Sequence, residues 1–433
     1  MKQANSCAAS CETVLRTEHA ALYANQLLAS LGMGMRVDGL ADHPAISFKR
    51  SGLLQTTGLM LPVPLASHAD GALMAFKALT QTPESLPEYG SQLLGERARL
   101  RNTVRKGRLC AGGYGRLLAT LDGRIALNLV REDDWDLIPA WLEDDVDDWD
   151  GIERIAAKKD ASYLAARAAE IGLAVAQDNL PAWPETWVSV QRFQTTKCET
   201  PLVVDLSGLW AGPLASSLLG MTGARVIKVE SPTRPDGMRA GHKGFYDLLN
   251  AGKDCVALNF RDEADLKRLK ALLHKADVVI EASRPRALRQ LGIIAEDFAR
   301  KKPGKVWARL TAYGQDQNRI GFGDDIAISA GLATLMERAH SEPCFVGDAI
   351  ADPVNGLHLA LAIQAMLNRG GGAVIDLSMR DVLRYAMGDV LENLGSIAKS
   401  WQKIAEDNQT PLYEMRTPKG TTKPLGADNA VWL

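Results

Sequence analysis

No stretch of this chain is long and apolar enough to span a bilayer. The longest apolar run, ADPVNGLHLALAIQAML at 351–367, is interrupted by His358 and Gln364, and a membrane helix needs roughly 20 apolar residues. The amino-terminal MKQANSCAASCETV carries a lysine but no apolar core, so no secretory signal is expected. Cysteine is scarce: six thiols are scattered at positions 7, 11, 110, 198, 255 and 344. A disulfide scaffold is shorter and denser, so free thiols in a reducing cytoplasm are expected. Cys7 and Cys11 are close enough for a metal clip, yet no second Cys or His pair follows at zinc spacing. Excess charge is lacking as well. A net charge of −2 gives no reason to expect wholesale nucleic-acid binding. No GxGxxG opens a helix, GxxxxGK[ST] is absent, and the GGG at 370–372 follows a helix and reads as its stop. Nicotinamide dinucleotides and ATP are thereby disfavoured.

What is present describes an ordinary globular protein. At 433 residues, 46% hydrophobic and 24% charged, the chain can build two or three domains with sizeable cores. Residues 1–105 are helical in pattern, with Leu22, Leu27, Leu28 and Leu31 at helical spacing, and end in the basic ERARLRNTVRKGR. Residues 106–195 form a small α+β unit. Asp122-Gly123 between two apolar runs marks a tight hairpin, and the acidic EDDVDDWDG lacks the glycine and spacing of a calcium loop. NLPAWPETW at 179–187 reads as a linker.

From about residue 200 to 395 the pattern changes. PLVVDL, ARVIKVE, DCVALNF, ADVVIEA and KVWARLT alternate with helical stretches. That alternation predicts an α/β domain with a Rossmann-like parallel sheet, following a smaller α+β domain in the chain. Ligands of such sheets bind at the carboxyl ends of the strands, here carrying LSGLWAGP, SPTRPDGMR and SRPRALRQLG. Arg234, Arg239, Arg284 and Arg286 lie there, and arginine suits phosphate, although any one of them is as readily a surface charge. Residues 396–433 form a C-terminal tail.

Several stretches in this block resemble the class III CoA-transferases, the CaiB/BaiF-type family of formyl-CoA transferase, carnitine CoA-transferase and α-methylacyl-CoA racemase. They are VVDLSGLWAGPLASSLLGMTGARVIKVESPTRPDGMR, FYDLLNAGKDCVALNF, ADVVIEASRPRALRQLGI, WARLTAYGQ, FGDDIAISAGL, DPVNGLHLALAIQAML and GGGAVIDLSMRDV, in that order. The resemblance implies a CoA-transferase acting on acyl-CoA and carboxylate small molecules. It implies no metal and no permanently bound cofactor, with coenzyme A or acyl-CoA as substrate. The family nucleophile is an aspartate four residues before a helical glycine. Asp352 and Gly356 have that spacing and Asp348 does not. By resemblance, Asp352 forms an acyl anhydride and then an aspartyl–CoA thioester. Placed before Pro353, Asp352 also reads as the cap of its helix, which would hold it ionised.

The resemblance implies further site residues. Leu209, Trp210 and Ala211 match the loop that lies against the nucleotide, and Ser231 stands where some members have arginine. Ala282, Ser283, Gln290 and Leu291 match the second border of the CoA pocket. Gln290 replaces an arginine, so Arg239, Arg284 and Arg286 are the candidates for phosphate. Tyr313 matches an aromatic near the reacting centre. Racemases carry Gly-His-Asp where this chain has Gly323-Asp324-Asp325. A 2-methylacyl-CoA racemase using Asp324 is the alternative, and a non-catalytic CoA-ester-binding protein is a further one.

The domain order departs from the family, whose large domain comes first. YANQLLASLG (23–32) is patterned like LASSLLGMTG (214–223), and aligning Gly71 with Gly356 puts Ser67 where Asp352 stands. Two readings of residues 1–105 stay open: a degenerate, truncated copy of the large domain, or a chance likeness of amphipathic helices. The assembly is accordingly either a homodimer or an intrachain pseudo-dimer.

Overall fold

The computed structural model describes residues 14–389 and 392–433; Cys7 and Cys11 lie outside them. The N-terminal block is helical: α1 (His19–Ser30), α2 (Pro44–Arg50), α3 (Leu53–Thr57), α4 (Leu65–Leu79) and α5 (Gln92–Leu100). Next come β1 (Gly115–Ala119) and β2 (Arg124–Asn128), an antiparallel hairpin closed at Asp122-Gly123, with Ala119 opposite Arg124. Helices α6 (Trp149–Ala156) and α7 (Ala161–Ile171) cover it, and β3 (Ala174–Gln177) completes a three-stranded sheet. This unit has an apolar core of its own, around Ile125, Leu127, Trp141 and Leu164.

The larger sheet contains β4 (Ser189–Arg192), β5 (Leu202–Asp205), β6 (Arg225–Glu230), β7 (Asp254–Ala257), β8 (Val278–Glu281), β9 (Val306–Thr311) and β10 (Ala373–Ser378). Its order is 4-10-9-8-5-6-7, parallel except for β4, which runs antiparallel to β10. From β5 the chain winds outward through β6 and β7, then returns to β8 and winds the other way. This is the doubly wound arrangement, and its switch point opens between the ends of β5 and β8. The strands between the two edges are buried on both faces, which is why they read as continuous Val/Ile runs.

The helices that build the site are α8 (Ala211–Met221), α9 (Gly323–Ser329), α10 (Leu332–His340), α11 (Ala351–Asn368) and α12 (Met379–Ala386). Helix α11 is the hub, buried almost all round between α8, α12 and α4. One continuous core joins α1 and α4 to α8, α11 and the sheet, so the N-terminal block is not a separate globule.

Two boundaries differ from the sequence expectation. Strand β4 falls before residue 195 yet belongs to the large sheet; its SVQR is mostly exposed and carries no apolar pattern. The segment expected as a linker is packed, with Trp187 buried and Trp183 stacked on Tyr385. The tail is also committed. Helix α13 (Leu394–Asp407) packs on α2 and α10. Asp428 and Asn429 accept the Cys255 and Ala257 N–H groups at 2.8 and 2.9 Å, covering the β7 edge. Among the described residues no helix is long and apolar enough to cross a membrane.

Two sets of helices share local features. Helices α2 and α9 each have seven residues, and each is followed by a two-residue bridge ending in a left-handed glycine, Gly52 or Gly331, that caps the next helix. A Cβ at Gly71 of α4 would lie 2.4 Å from the Ala20 carbonyl oxygen, and one at Gly356 of α11 would lie 2.8 Å from that of Ala211. The alignment that pairs residues 23–32 with 214–223 also pairs Ala20 with Ala211.

Candidate active site

The end of β5 is held by a buried polar network. Lys253 Nζ donates to Asp205 Oδ2 (3.2 Å), Ser216 Oγ (2.7 Å), Asn250 Oδ1 (3.0 Å) and the Pro213 carbonyl (2.9 Å). These bonds fix the start of α8 against the strand. Leu209 adopts φ +63°, its N–H donating to Asp236 Oδ1 at 3.0 Å, and Trp210 is buried beneath the turn. Ala211 is thus the first residue of α8, and its N–H, one of the orphan donors of a helix start, points at Asp352 Oδ1, 3.4 Å away. Gly356 permits this approach, because any side chain there would strike the Ala211 carbonyl and Leu214.

Asp352 is not the cap of its helix. Ile350 occupies that place and Asp352 is the second helical residue. Ala349, at φ +46°, turns the chain so that the Asp352 N–H already bonds the Ala349 carbonyl at 2.9 Å. Pro353 fits within the first turn, where its missing N–H would have had no intrahelical partner. The expected self-capping is therefore replaced by the N-terminus of the neighbouring α8. The expectation that the helix start simply keeps Asp352 ionised is also corrected. Burial pushes its carboxyl up to about 7, with Asp324 and Asp348 adding to the rise and Arg97 and the Ala211 amide opposing it.

Gly323 makes room for this carboxylate: a Cβ there would lie 2.0 Å from Asp352 Oδ2. Beside it, Asp324 is buried and accepts the Ala349 N–H at 2.8 Å. Burial and Asp348 raise its carboxyl, against the pull of Arg97. Asp325 caps α9 by accepting the Phe322 N–H at 2.8 Å and binds Asn128 Nδ2 at 3.1 Å, tying β2 to the site; burial pushes it up to about 7. Cys110, from the CAGGYG loop, is a further buried neighbour, its thiol pushed up to about 12 by burial and then by Asp324.

Asp352, Leu209, Trp210, Ala211, Asp324 and Gly356 are therefore brought together. Tyr313 follows the end of β9, buried, with its hydroxyl unpartnered and Arg319 stacked over its ring at 4.0 Å. Ala282 and Ser283 follow β8 across the switch point, Ser283 Oγ being unpartnered. Ser231 is partly exposed, bonded to Thr233 at 2.9 Å. Gln290 is exposed, whereas Leu291 packs on the core behind the sheet. Arg284 and Arg286 are exposed. Arg239 differs from expectation: its guanidinium is already paired with Glu230 at 2.6 Å, which spends the charge a phosphate would need. A cleft of about 420 Å³, lined in part by Lys106, Arg108 and Arg116, lies on the small sheet.

Arg97 escaped the sequence reading, and Asp348, weighed there only as a rival to Asp352, is its partner. Arg97 Nε donates to Asp348 Oδ2 at 2.7 Å, a second bond reaches Oδ1, and the guanidinium lies over Trp210, 5.0 Å from the ring centre. The signal was present but faint. Arg97 falls on the same helical face as Leu93 and Leu94, inside a basic run that otherwise reads as solvated.

A family model described as CoA-transferase family III matches residues 201–415, the segment that carries β5 through α13. The chain belongs to CoA-transferase family III through that half. It is 33% identical over 240 residues to the probable fatty acyl-CoA transferase Rv3272 of Mycobacterium tuberculosis, covering 53% of this chain and 57% of that protein. It is 31% identical over 194 residues to the acetyl-CoA:oxalate CoA-transferase of Acetobacter aceti, covering 42% and 50%. It is 31% identical over 235 residues to the succinyl-CoA:glutarate CoA-transferase of Homo sapiens, covering 50% and 53%. The chain spans about half the length of these family III relatives.

Proposed function

We propose that the protein is an acyl-CoA:carboxylate CoA-transferase with Asp352 as its nucleophile. The observation that carries this reading is the meeting of Asp352 with the Ala211 N–H at the mouth of a doubly wound sheet. An Asp352 oxygen attacks the thioester carbonyl and expels CoA thiolate, leaving an acyl–aspartyl anhydride. The thiolate attacks the aspartyl carbonyl, releasing the donor carboxylate and forming an aspartyl–CoA thioester. The acceptor carboxylate displaces the thiolate to give a new anhydride. Thiolate attack on its acyl carbonyl then yields the new acyl-CoA and restores Asp352. The Ala211 N–H, at a helix N-terminus, is placed to stabilise the oxyanion on the aspartyl carbon. CoA would lie across the switch point, between Leu209–Ala211 and Ala282–Ser283. With Arg239 engaged, Arg284 and Arg286 are the cations left for its phosphates.

The racemase alternative draws support from the raised carboxyl of Asp324, a better base for an α-proton than an ordinary aspartate. Against it, one Asp324 oxygen is engaged by the Ala349 amide. The test is isotope exchange. Labelled CoA passing between a thioester and a free carboxylate supports the transferase. Deuterium entering a 2-methylacyl-CoA without CoA exchange supports the racemase, and binding with neither supports a non-catalytic CoA-ester-binding protein.

Residues 15–105 we read as a degenerate copy of the helical layer around α8, α9 and α11, without its sheet. The matched helices, bridges and glycine contacts favour this over chance likeness. Ser67, buried with its hydroxyl unpartnered, occupies the nucleophile's place in the copy. The chain would then be an intrachain pseudo-dimer.

A further inference from the structure

We infer that Arg97 is a positioning residue that braces the two chain segments around Asp352 and sets its charge environment, so that the N-terminal block completes the active site of the C-terminal half. The inference rests on the reading of Asp352 as nucleophile, because the carboxylate attacks a thioester far better than the protonated acid does.

Arg97 touches both chain segments that hold Asp352. Its bidentate pair with Asp348 fixes the turn four residues upstream, and its stacking on Trp210 fixes the residue before Ala211. Both side chains are withdrawn from water, with 14% of Arg97 and none of Asp348 exposed. A buried pair of this kind holds its geometry because losing either partner strands a charge. The position of Arg97 is itself built in. Gly95 lets α5 press on the α2–α3 corner, where a Cβ would lie 1.9 Å from the Ser51 carbonyl oxygen. On the far side Glu96 binds Arg416 through two bonds of 2.6 Å.

The charges facing Asp352 come from several directions. Asp348 lies in the preceding turn, Asp324 on α9 with Cys110 against it, Arg97 on α5, and the Ala211 amide at the start of α8. The carboxylates and the burial favour a proton on Asp352, and Arg97 is the cation that opposes them. An opposite charge close to a carboxyl lowers its titration midpoint, typically by about one to three pH units.

The test uses the full-length protein labelled with carboxyl-¹³C aspartate, the Asp352 signal being assigned by its loss in D352N. In R97Q the Asp352 titration midpoint should rise by about one unit or more, while R97K should leave it close to wild type. The acid limb of the pH profile of CoA exchange should move in parallel. Equal midpoints in wild type and R97Q would overturn the inference. If R97Q does not fold, the double variant R97Q/D348N, which strands no charge, is compared with D348N alone; an Asp352 midpoint no higher in the double variant overturns the inference. A midpoint that moves as expected in a protein without CoA exchange would sink the transferase reading and leave the role of Arg97 standing.

Discussion

Gly323 faces Asp352 so closely that a methyl group on it would overlap the carboxylate, 2.0 Å from Oδ2. The position of the Asp352 carboxylate is therefore set by what is missing from the helix opposite. Gly323→Ala should push the carboxylate away from the Ala211 N–H and lower the rate of CoA exchange at least tenfold, about 1.4 kcal/mol in the barrier. A Cβ there would also lie 2.7 Å from the Ala349 Cβ and carbonyl oxygen, so the melting temperature should fall as well. Exchange kinetics taken well below the lowered melting temperature would isolate the effect on the carboxylate.

The acidity of Asp352 fixes the direction of the pH dependence. Its carboxyl is raised to about 7, so the attacking form is depleted as pH falls through that value. Exchange measured from pH 5 to 9 should fall off on the acid side, with a limb near 7. The limb should be absent from the binding of acyl-CoA itself.

The same shift has a consequence for stability. A carboxyl raised in the folded state is bound more tightly by protons there than in the unfolded chain, so its contribution to stability is lost as pH rises through 7. Asp352→Asn removes that penalty. The variant should melt higher than wild type at pH 8, and the difference should shrink toward pH 5, while exchange is abolished at both. Calorimetry at the two pH values would check it.

Gly71 and Gly356 provide a paired test of the two helical layers. Each allows its helix to meet an alanine carbonyl, Ala20 or Ala211. Alanine at either site should destabilise the fold by a similar amount, about 1–3 kcal/mol from overpacking, read by urea unfolding. Only Gly356→Ala should also slow exchange strongly, because only that contact aligns a donor with Asp352.

If one chain holds both helical layers, the site needs no second copy. Specific exchange activity should stay constant on dilution from micromolar to nanomolar protein, with sedimentation showing a monomer. A specific activity that falls with dilution would favour a homodimer.

Much of the C-terminal half was legible because buried parallel strands leave unbroken Val/Ile runs, whereas the role expected of Asp352 came only from the family resemblance, through its four-residue spacing to Gly356. Strand β4 was not legible, since an exposed edge needs no apolar face. The cap assignment failed because Asp-Pro is compatible with either the cap or the first turn, and the positive φ of Ala349 decided between them. The pairing of Arg97 with Asp348 was hidden for a different reason. It joins residues 251 positions apart, and neither local pattern distinguishes a buried ion pair from solvated charge. The likeness of Ser67 to Asp352 could be seen in sequence, while the matched contacts of Ala20 and Ala211 needed the fold.

The most direct measurement of the central claim is mass spectrometry of the protein after mixing with an acyl-CoA panel and hydroxylamine. An anhydride or thioester on the nucleophile is converted to a stable hydroxamate. The account predicts that modification on Asp352, dependent on acyl-CoA and absent in D352N. A hydroxamate on any other carboxylate, or turnover of CoA with Asp352 unmodified throughout, would contradict it.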